Sequence, residues 1–190
     1  MSDVLTPEAL LFAYSIGVFP MADPDNTNEI GWYDPEGRGI IPLDGLNISK
    51  SLQQVLRSGK YEVTINTDFE QVMRHCAQRS TTWISEDIIA AYTELHRMGY
   101  AYSFETRDMQ GNLAGGLYGV ALGRAFFGES MFHVQRDAGK VALVALVNWM
   151  NRHGFELLDT QYYTEHLGSM GCVEITRDEY KHLLMQALKT

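Results

Sequence analysis

Cysteine is scarce in this sequence, and its scarcity argues against two kinds of small-domain architecture. Among 190 residues there are 2 cysteines, Cys76 and Cys172, and neither has a second cysteine or a suitably spaced histidine beside it. A disulfide framework needs several paired cysteines, and a structural zinc site needs closely spaced ligands. The pattern therefore predicts two reduced thiols and no metal site.

Long apolar runs are also missing. No stretch approaches the roughly 20 apolar residues that span a bilayer as a helix. The start of the chain, Met1 to Glu8, has neither the basic segment nor the apolar core of a signal peptide. We therefore expect a cytoplasmic protein that makes no use of a membrane.

Positive charge is in short supply as well. The chain carries 15 Lys and Arg against 24 Asp and Glu, a net charge of -9. Binding to nucleic acid without regard to sequence usually depends on a strongly basic face. This charge balance argues against a protein that binds nucleic acid without regard to sequence, but it is compatible with a local basic patch. The hydrophobic content of 45% and charged content of 21% are ordinary for one soluble domain with a sizeable core.

Helix caps, glycines and alternating apolar residues divide the chain into segments of predicted structure. The predicted helices cover 6–17, 49–57, 68–79, 85–98 and 138–152, with two short helical pieces after Thr164 and Thr176. The segment 23–45, rich in Pro, Gly, Asp and Asn, is predicted to be an ordered loop. The predicted strands cover 61–66, 101–106, 113–122, 124–128 and 155–160, with Asp137 capping the helix before the last of them.

This order of elements favours an α/β (α+β) fold of the acetyltransferase-like type. Three strands in an antiparallel meander are followed by a long helix and then by a strand that can insert beside the meander. We expect a mixed, mainly antiparallel sheet flanked by helices. Residues 1–60 would form a small helix-and-loop annex, and residues 61–190 would form the acetyltransferase-like domain.

Two places in the predicted sheet carry acids that need an explanation. Glu129 stands alone in the aromatic run from Phe126 to Phe132. Burying an ionised carboxylate without a partner is costly, so Glu129 should meet a donor or cation, or line a pocket that receives one. An internal pair with an arginine such as Arg124 is the alternative.

The second place is the end of the predicted strand 155–160, where Asp159 and Gln161 follow an apolar run. In α/β sheets the carboxyl ends of strands are where ligands bind. The alternative is that both side chains cap the strand end by bonding to the backbone.

With these segments identified, the chain resembles the leucyl/phenylalanyl-tRNA-protein transferase family. The resemblance rests on short motifs in the family's order: LLFAYSIGVFP (10–20), WYDP (32–35), GIIP (39–42), TWI (82–84), GGLYG (115–119), GESMF (128–132) and LDTQ (158–161). It implies an acetyltransferase-like fold and a bacterial enzyme that moves Leu or Phe, and Met less efficiently, from aminoacyl-tRNA to a protein whose N-terminal residue is Arg or Lys. The reaction would form a peptide bond without a cofactor or metal and would create an N-terminal degradation signal.

The resemblance also implies roles for single residues. Asp159 and Gln161 would form a hydrogen-bond relay, with Gln161 at the α-amine or carbonyl and Asp159 orienting it and drawing off the proton. Glu129 would accept the cationic N-terminal residue of the acceptor or contact the aminoacyl end. The pocket for the transferred side chain would be built from Trp83, Leu117, Phe126, Leu143, Leu146 and Leu158.

Some positions depart from the common family pattern. Met21 stands where many members have a tryptophan, and His133 and Gly139 stand where a small polar residue and a serine are common. The chain is also expected to be a short form without most of the N-terminal extension. The basic residues expected to contact tRNA phosphates are Lys50, Arg57, Lys60, Arg136 and Lys140.

Two other functions fit parts of the sequence. A coenzyme A-dependent N-acyltransferase would share the fold, but residues 135–140 (QRDAGK) lack the glycine-rich turn that would bring backbone amides to a pyrophosphate. A non-catalytic binder of tRNA or of protein N-termini would not need Asp159, Gln161 and Glu129 together.

Overall fold

The computed structural model describes residues 5–22, 29–78, 82 and 84–189. Within these ranges the helices are α1 (Pro7–Ser15), α2 (Lys50–Arg57), α3 (Phe69–Ala77), α4 (Glu86–Arg97), α5 (Ala138–Arg152), α6 (Glu165–Ser169) and α7 (Arg177–Ala187). The strands are β1 (Phe19–Ala22), β2 (Ile30–Tyr33), β3 (Gly37–Ile40), β4 (Tyr61–Ile65), β5 (Ala101–Asp108), β6 (Leu113–Leu122), β7 (Ala125–His133), β8 (Leu157–Gln161) and β9 (Val173–Thr176).

The main sheet contains seven strands in the order β4-β5-β6-β7-β8-β3-β9, and β1 pairs separately with β2. Every pair of neighbours in the main sheet is antiparallel except β7 and β8, which run parallel. A parallel pair needs a crossover, which α5 supplies between these two strands. The predicted mixed, mainly antiparallel sheet flanked by helices is confirmed.

Helices cover both faces of this sheet. Buried side chains of α1, α3, α4 and α7 form one hydrophobic cluster with the sheet, and those of α2 and α5 form a second one on the other face. Phe126 and Phe127 are neighbours on β7, both are fully buried, and they belong to different clusters. This alternation is what a strand covered on both faces requires.

The strand β3 corrects the prediction of a loop over 23–45. It lies in the main sheet between β8 and β9. Its sequence, Gly37-Arg38-Gly39-Ile40, lacks the alternation of apolar and polar residues that would indicate a strand. Glycines stand there because neighbouring atoms leave no room for a side chain. A Cβ at Gly39 would lie 2.7 Å from the carbonyl carbon of Tyr162 and 2.7 Å from Thr160 Oγ1.

The segment 1–60 thus contributes a strand to the same sheet as the segment 61–190. The division of the chain at residue 60 stays a prediction. The strand β7 also runs further than the predicted 124–128, reaching His133. Among the helices that the structure describes, none has both the length and the apolar character of a membrane span.

Candidate active site

A cavity opens where β7 and β8 part. The pairing of these parallel strands ends at Phe127 and Asp159. Beyond that point lies a cavity of about 400 Å³, here called the central cavity. Its wall is formed by β7 from Gly128 to Met131, by the neighbouring strands β6 and β8, by α5, and by the segment that leads into α6. The side chains that line it include Leu117, Glu129, His133, Leu143, Leu146, Leu158, Tyr162 and His166.

Glu129 is aimed into this cavity by an irregularity in β7. Tyr118 pairs with Ser130 and Gly119 pairs with Gly128, which leaves Glu129 as an extra residue without a partner on β6. Such a β-bulge bends the strand and redirects a side chain, and bulges are common beside active sites. Glu129 is 8% exposed and lines the central cavity.

Three donors surround the Glu129 carboxylate. Tyr14 donates its hydroxyl proton to Glu129 Oε1 over 2.5 Å, and the side-chain amide of Gln161 donates to the same oxygen over 3.0 Å. The hydroxyl of Tyr92 lies 3.4 Å from the other oxygen, Oε2. Burial raises the pKa of Glu129 to about 7, although the bonds from Tyr14 and Gln161 act in the opposite direction.

A count of protons shows which oxygen of Glu129 is available. The hydroxyls of Tyr14 and Tyr92 are in direct hydrogen-bond contact, and each carries one proton. Tyr14 gives its proton to Oε1, so Oε2 is left with the contact from Tyr92, which at 3.4 Å is the longest of the three. Burial raises the pKa of both tyrosines, so both stay protonated. Glu129 Oε2 is therefore the oxygen that is available to a further donor.

Asp159 lies deeper and is fully buried. It forms a two-bond ion pair with Arg38, with 2.6 Å between Nη2 and Oδ2 and 3.0 Å between Nε and Oδ1. Tyr180 donates to Asp159 Oδ2 over 2.7 Å. The geometry suits a residue that orients its neighbours, and the role of Asp159 in drawing off a proton stays a prediction.

Gln161 connects the two carboxylates. Its backbone N–H donates to Asp159 Oδ1 over 2.7 Å while its side chain donates to Glu129. The residue has a φ of 64°, in the left-handed region that non-glycine residues seldom occupy. Strained backbone of this kind persists where surrounding contacts fix it, often at functional sites. Asp159 supplies one of those contacts.

Comparison with known proteins identifies the family. The sequence profile described as Leucyl/phenylalanyl-tRNA protein transferase matches residues 40–185, and the profile of the N-terminal domain of that transferase matches residues 3–36. The chain belongs to this family. A leucyl/phenylalanyl-tRNA–protein transferase of Rubrobacter xylanophilus is 53% identical over 185 residues, which cover 97% of this chain and 96% of the relative. One of Ruegeria pomeroyi is 50% identical over 184 residues, covering 97% and 87% respectively.

The fold of this transferase family member also resembles a solved acetyltransferase. A GCN5-related glucosamine N-acetyltransferase region in a fungal multi-domain β-N-acetylglucosaminidase superimposes with a TM-score of 0.51. The match covers 89% of this chain and 22% of the other, at 12% sequence identity. The likeness confirms the expected acetyltransferase-like fold and says nothing about the reaction.

The residues expected to line the amino-acid pocket in this family are mostly brought together. Leu117, Leu143, Leu146 and Leu158 all line the central cavity. Phe126 does not; it is fully buried behind these leucines, in edge-to-face contact with Phe104 and Trp149. Trp83 lies outside the described residues. The roles assigned to these side chains stay predictions.

Three of the five basic residues expected to contact tRNA line two further cavities. Arg136 and Lys140 line a cavity of about 440 Å³, here called the histidine cavity because His133 and His166 also line it. Lys60 and Arg136 line a cavity of about 350 Å³ beside α2, here called the lysine groove. Lys50 and Arg57 are exposed at the two ends of α2 and line neither.

Several residues of the site were not found from the sequence. The alternative pairing of Glu129 with Arg124 is wrong, because Arg124 is half-exposed and pairs with Glu156. The partners of the two buried acids are instead Tyr14, Tyr92, Arg38 and Tyr180. Tyr14 lies inside one of the family motifs, and Arg38 directly precedes another, which is the signal that could have indicated them. Within the described ranges, no group of three or more His, Cys, Asp and Glu side chains could hold a metal ion.

Proposed function

We propose that this protein transfers Leu or Phe, and Met less efficiently, from aminoacyl-tRNA to the N-terminal Arg or Lys of an acceptor protein. The transfer would take place in the cytoplasm, where its aminoacyl-tRNA substrates are made, and would create an N-end rule degradation signal. Membership of the family supports this function. The observation that carries it is the Glu129 carboxylate, placed by a bulge beside an apolar cavity with one oxygen available.

The chemistry needs an acceptor for one proton. The α-amine of the acceptor protein forms a bond to the ester carbonyl carbon, the ester C–O bond breaks, and the ribose oxygen of the tRNA leaves with a proton. Glu129 Oε2 takes the proton from the amine and returns it to the leaving oxygen. A base works best when its pKa is close to the working pH, and burial places the pKa of Glu129 at about 7.

The other residues of the site would act by holding the reacting groups and Glu129 in place. The ester already provides the driving force, so that holding the amine against the carbonyl supplies much of the rate. Asp159, fixed by Arg38, holds the backbone of Gln161, and the Gln161 side chain holds Glu129. The hydrogen-bonded relay therefore runs from the buried pair of Arg38 and Asp159 to Glu129, and of its members only Glu129 lines the central cavity.

The leucines of the central cavity would bind the side chain that is transferred. Leu117, Leu143, Leu146 and Leu158 present an apolar wall to the cavity. A wall of this kind separates Leu, Phe and Met from β-branched side chains by only about 1–3 kcal/mol, because apolar pockets discriminate weakly between similar apolar groups. The net charge of -9 suits an acceptor with a cationic N-terminus, since opposite charges favour encounter.

The coenzyme A-dependent N-acyltransferase is the alternative function, and the helix that follows β7 argues against it. Asp137, at the start of α5, has a φ of 65° and places a carboxylate where a pyrophosphate would need backbone amides. Asp137 also pairs with Lys140, at 3.7 Å. An anion bound here would have to rely on side chains.

The test is transfer in the absence of coenzyme A. The purified chain is incubated with Leu-tRNA and a peptide that begins with Arg, beside the same peptide beginning with Ala, and the masses of both peptides are followed. A gain of one leucine on the Arg peptide alone supports the proposal. No gain on either peptide, with intact Leu-tRNA and folded protein, would contradict it and favour the non-catalytic binder.

A further inference from the structure

The carboxylate of Asp159 is held by donors on all sides. Its Oδ1 accepts from Arg38 Nε at 3.0 Å and from the backbone N–H of Gln161 at 2.7 Å. Its Oδ2 accepts from Arg38 Nη2 at 2.6 Å and from the hydroxyl of Tyr180 at 2.7 Å. An ionised carboxylate has room for about four donors, so each of these bonds has its own place on Asp159. The carboxylate keeps one orientation as long as all of them are made.

Tyr180 contacts both members of the buried ion pair. Its ring lies against the guanidinium of Arg38, 4.2 Å from the ring centroid, and its hydroxyl accepts from Arg38 Nη2 over 3.2 Å while donating to Asp159. Burial raises the pKa of Tyr180, and the negative charge of Asp159 raises it further, so the hydroxyl keeps its proton. Tyr180 therefore adds a neutral donor to a carboxylate whose other side-chain donor is a cation.

The fold leaves the ring of Tyr180 a single position. A capping box fixes the first turn of α7, and Tyr180 follows it directly. The backbone N–H of Arg177 donates to the carbonyl of Glu36 over 2.9 Å, which ties this turn to the segment that leads into β3. On the other side, a Cβ at Gly17 would lie 3.0 Å from a ring carbon of Tyr180. The hydroxyl is thus aimed at Asp159 by packing around the ring.

The orientation of Asp159 matters because its Oδ1 holds a strained turn. Gln161 has a φ of 64°, and its backbone N–H is bonded to Asp159 while its side-chain amide donates to Glu129 over 3.0 Å. If the carboxylate rotated, this N–H would be released and the backbone could leave the left-handed region. The amide would then move away from Glu129. Three hydrogen bonds therefore lead from the Tyr180 hydroxyl to the Glu129 carboxylate.

We propose that Tyr180 is a positioning residue for the transfer reaction. It is fully buried and does not line the central cavity, so that it acts through Asp159 and Gln161 on Glu129 and touches no substrate. This inference rests on the proposed function. It adds a residue of the C-terminal helix α7 to the relay and gives its hydroxyl a separate task from that of Arg38. Arg38 neutralises Asp159, and Tyr180 fixes the direction in which Asp159 faces Gln161.

The first variant is Tyr180→Phe, which keeps the ring on Arg38 and removes only the hydroxyl. Transfer from Leu-tRNA to the Arg peptide is measured at steady state. We expect kcat to fall about 10–100-fold, because a small misplacement of reacting groups is costly, and KM for both substrates to stay unchanged. The control is Leu184→Val, which perturbs a buried apolar side chain one turn further along α7 and should keep kcat.

A second measurement follows the turn itself and needs no transfer. The backbone N–H of Gln161 is protected by Asp159, and its hydrogen exchange can be followed by NMR. In Tyr180→Phe this N–H should exchange about tenfold faster relative to the N–H groups of β6. In Leu184→Val the ratio should stay as in the wild type, because any loss of stability there affects the whole fold.

A double variant tests the route from Tyr180 to Glu129. Gln161→Asn keeps a residue that tolerates the left-handed backbone, but its amide is one methylene too short to reach Glu129. If Tyr180 acts through Gln161, adding Tyr180→Phe to Gln161→Asn should lower kcat by no more than about twofold further. Losses that multiply in full would mean that the two residues act independently, which would contradict the route.

The remaining outcomes separate this proposal from the proposed function. Wild-type kcat in Tyr180→Phe, an equal loss in Leu184→Val, or a loss without faster exchange at Gln161 would each overturn the role of Tyr180 and leave the transfer reaction standing. A wild-type chain that transfers nothing, while Tyr180→Phe still frees the N–H of Gln161, would refute the proposed function alone. The hold of Tyr180 on the turn would then remain.

Discussion

Replacing Glu129 by glutamine should make the stability of the protein less dependent on pH. Glutamine keeps the shape of the side chain and can still accept the protons of Tyr14 and Gln161, but it cannot ionise. In the wild type, burial raises the pKa of Glu129 from its ordinary value of 4.5 to about 7. At 1.36 kcal/mol per pKa unit, this rise corresponds to about 3 kcal/mol.

The sign follows from which state binds the proton more tightly. Between pH 4.5 and about 7 the carboxyl of Glu129 is protonated in the folded chain and ionised in the unfolded chain. Raising the pH through this window therefore favours unfolding, and the stability that the raised pKa of Glu129 contributes is lost above pH 7. The free energy of unfolding of Glu129→Gln, relative to the wild type, should increase by about 3 kcal/mol from pH 4.5 to pH 8.

The assay is urea denaturation of both proteins at several pH values between 4.5 and 8, with Glu94→Gln as the control. Glu94 is an exposed carboxylate on α4 that pairs with Arg97, so its removal tests for effects of a lost surface charge. If the free energies of unfolding of the wild type and Glu129→Gln change in parallel with pH, the raised pKa of Glu129 is refuted. The same variant should lower transfer by about 10²–10⁴-fold, as loss of a general base does, and unchanged transfer would refute the role of base.

Two further predictions concern the ion pair and the cavity wall. Asp159→Ala should lower the free energy of unfolding by about 3–5 kcal/mol, because it leaves Arg38 buried without its partner. Urea denaturation at neutral pH measures this change, and a loss below about 1 kcal/mol would contradict the prediction. Leu146→Phe should narrow the central cavity and reduce kcat/KM for Phe-tRNA about tenfold more than for Leu-tRNA. Equal losses for the two donors would show that Leu146 does not contact the transferred side chain.

The burial of Asp159 changes what the sequence alone suggested about it. Its position at the end of a strand predicts a site group that faces a ligand. In the structure it is fully buried with Arg38 at 1% exposure, so its removal must cost stability. Activity and folding therefore have to be measured together for any variant at this position.

Helix boundaries were predictable because the interactions that set them are local. Thr6, Ser49, Ser85, Thr164 and Thr176 each accept a hydrogen bond from the first turn of the helix they precede. Each of these caps is read from residues within three positions of one another. Asp68 and Asp137 are exceptions: they precede α3 and α5, but neither side chain makes a capping bond.

The partners of the buried acids were not predictable because they are remote in sequence. Arg38 and Asp159 are separated by 121 positions, and Tyr14 and Glu129 by 115. A lone acid in an apolar strand shows that some partner must exist, yet only the sheet order decides which residue it is. Because the composition of 23–45 predicts a loop, nothing in the sequence places Arg38 beside β8.

The contacts of Arg38 tie the N-terminal segment to the buried acid of the site. Its guanidinium lies between the rings of Phe19 and Tyr180, at 4.8 and 4.2 Å, and donates to the carbonyl of Gly17 over 2.9 Å. One side chain thus joins the turn after α1, β1, β3 and α7 to Asp159 on β8. Without residues 1–60 the acid would be buried without a cation, and Glu129 would lose the hydroxyl of Tyr14. The site is complete only when both segments of the chain are folded around it.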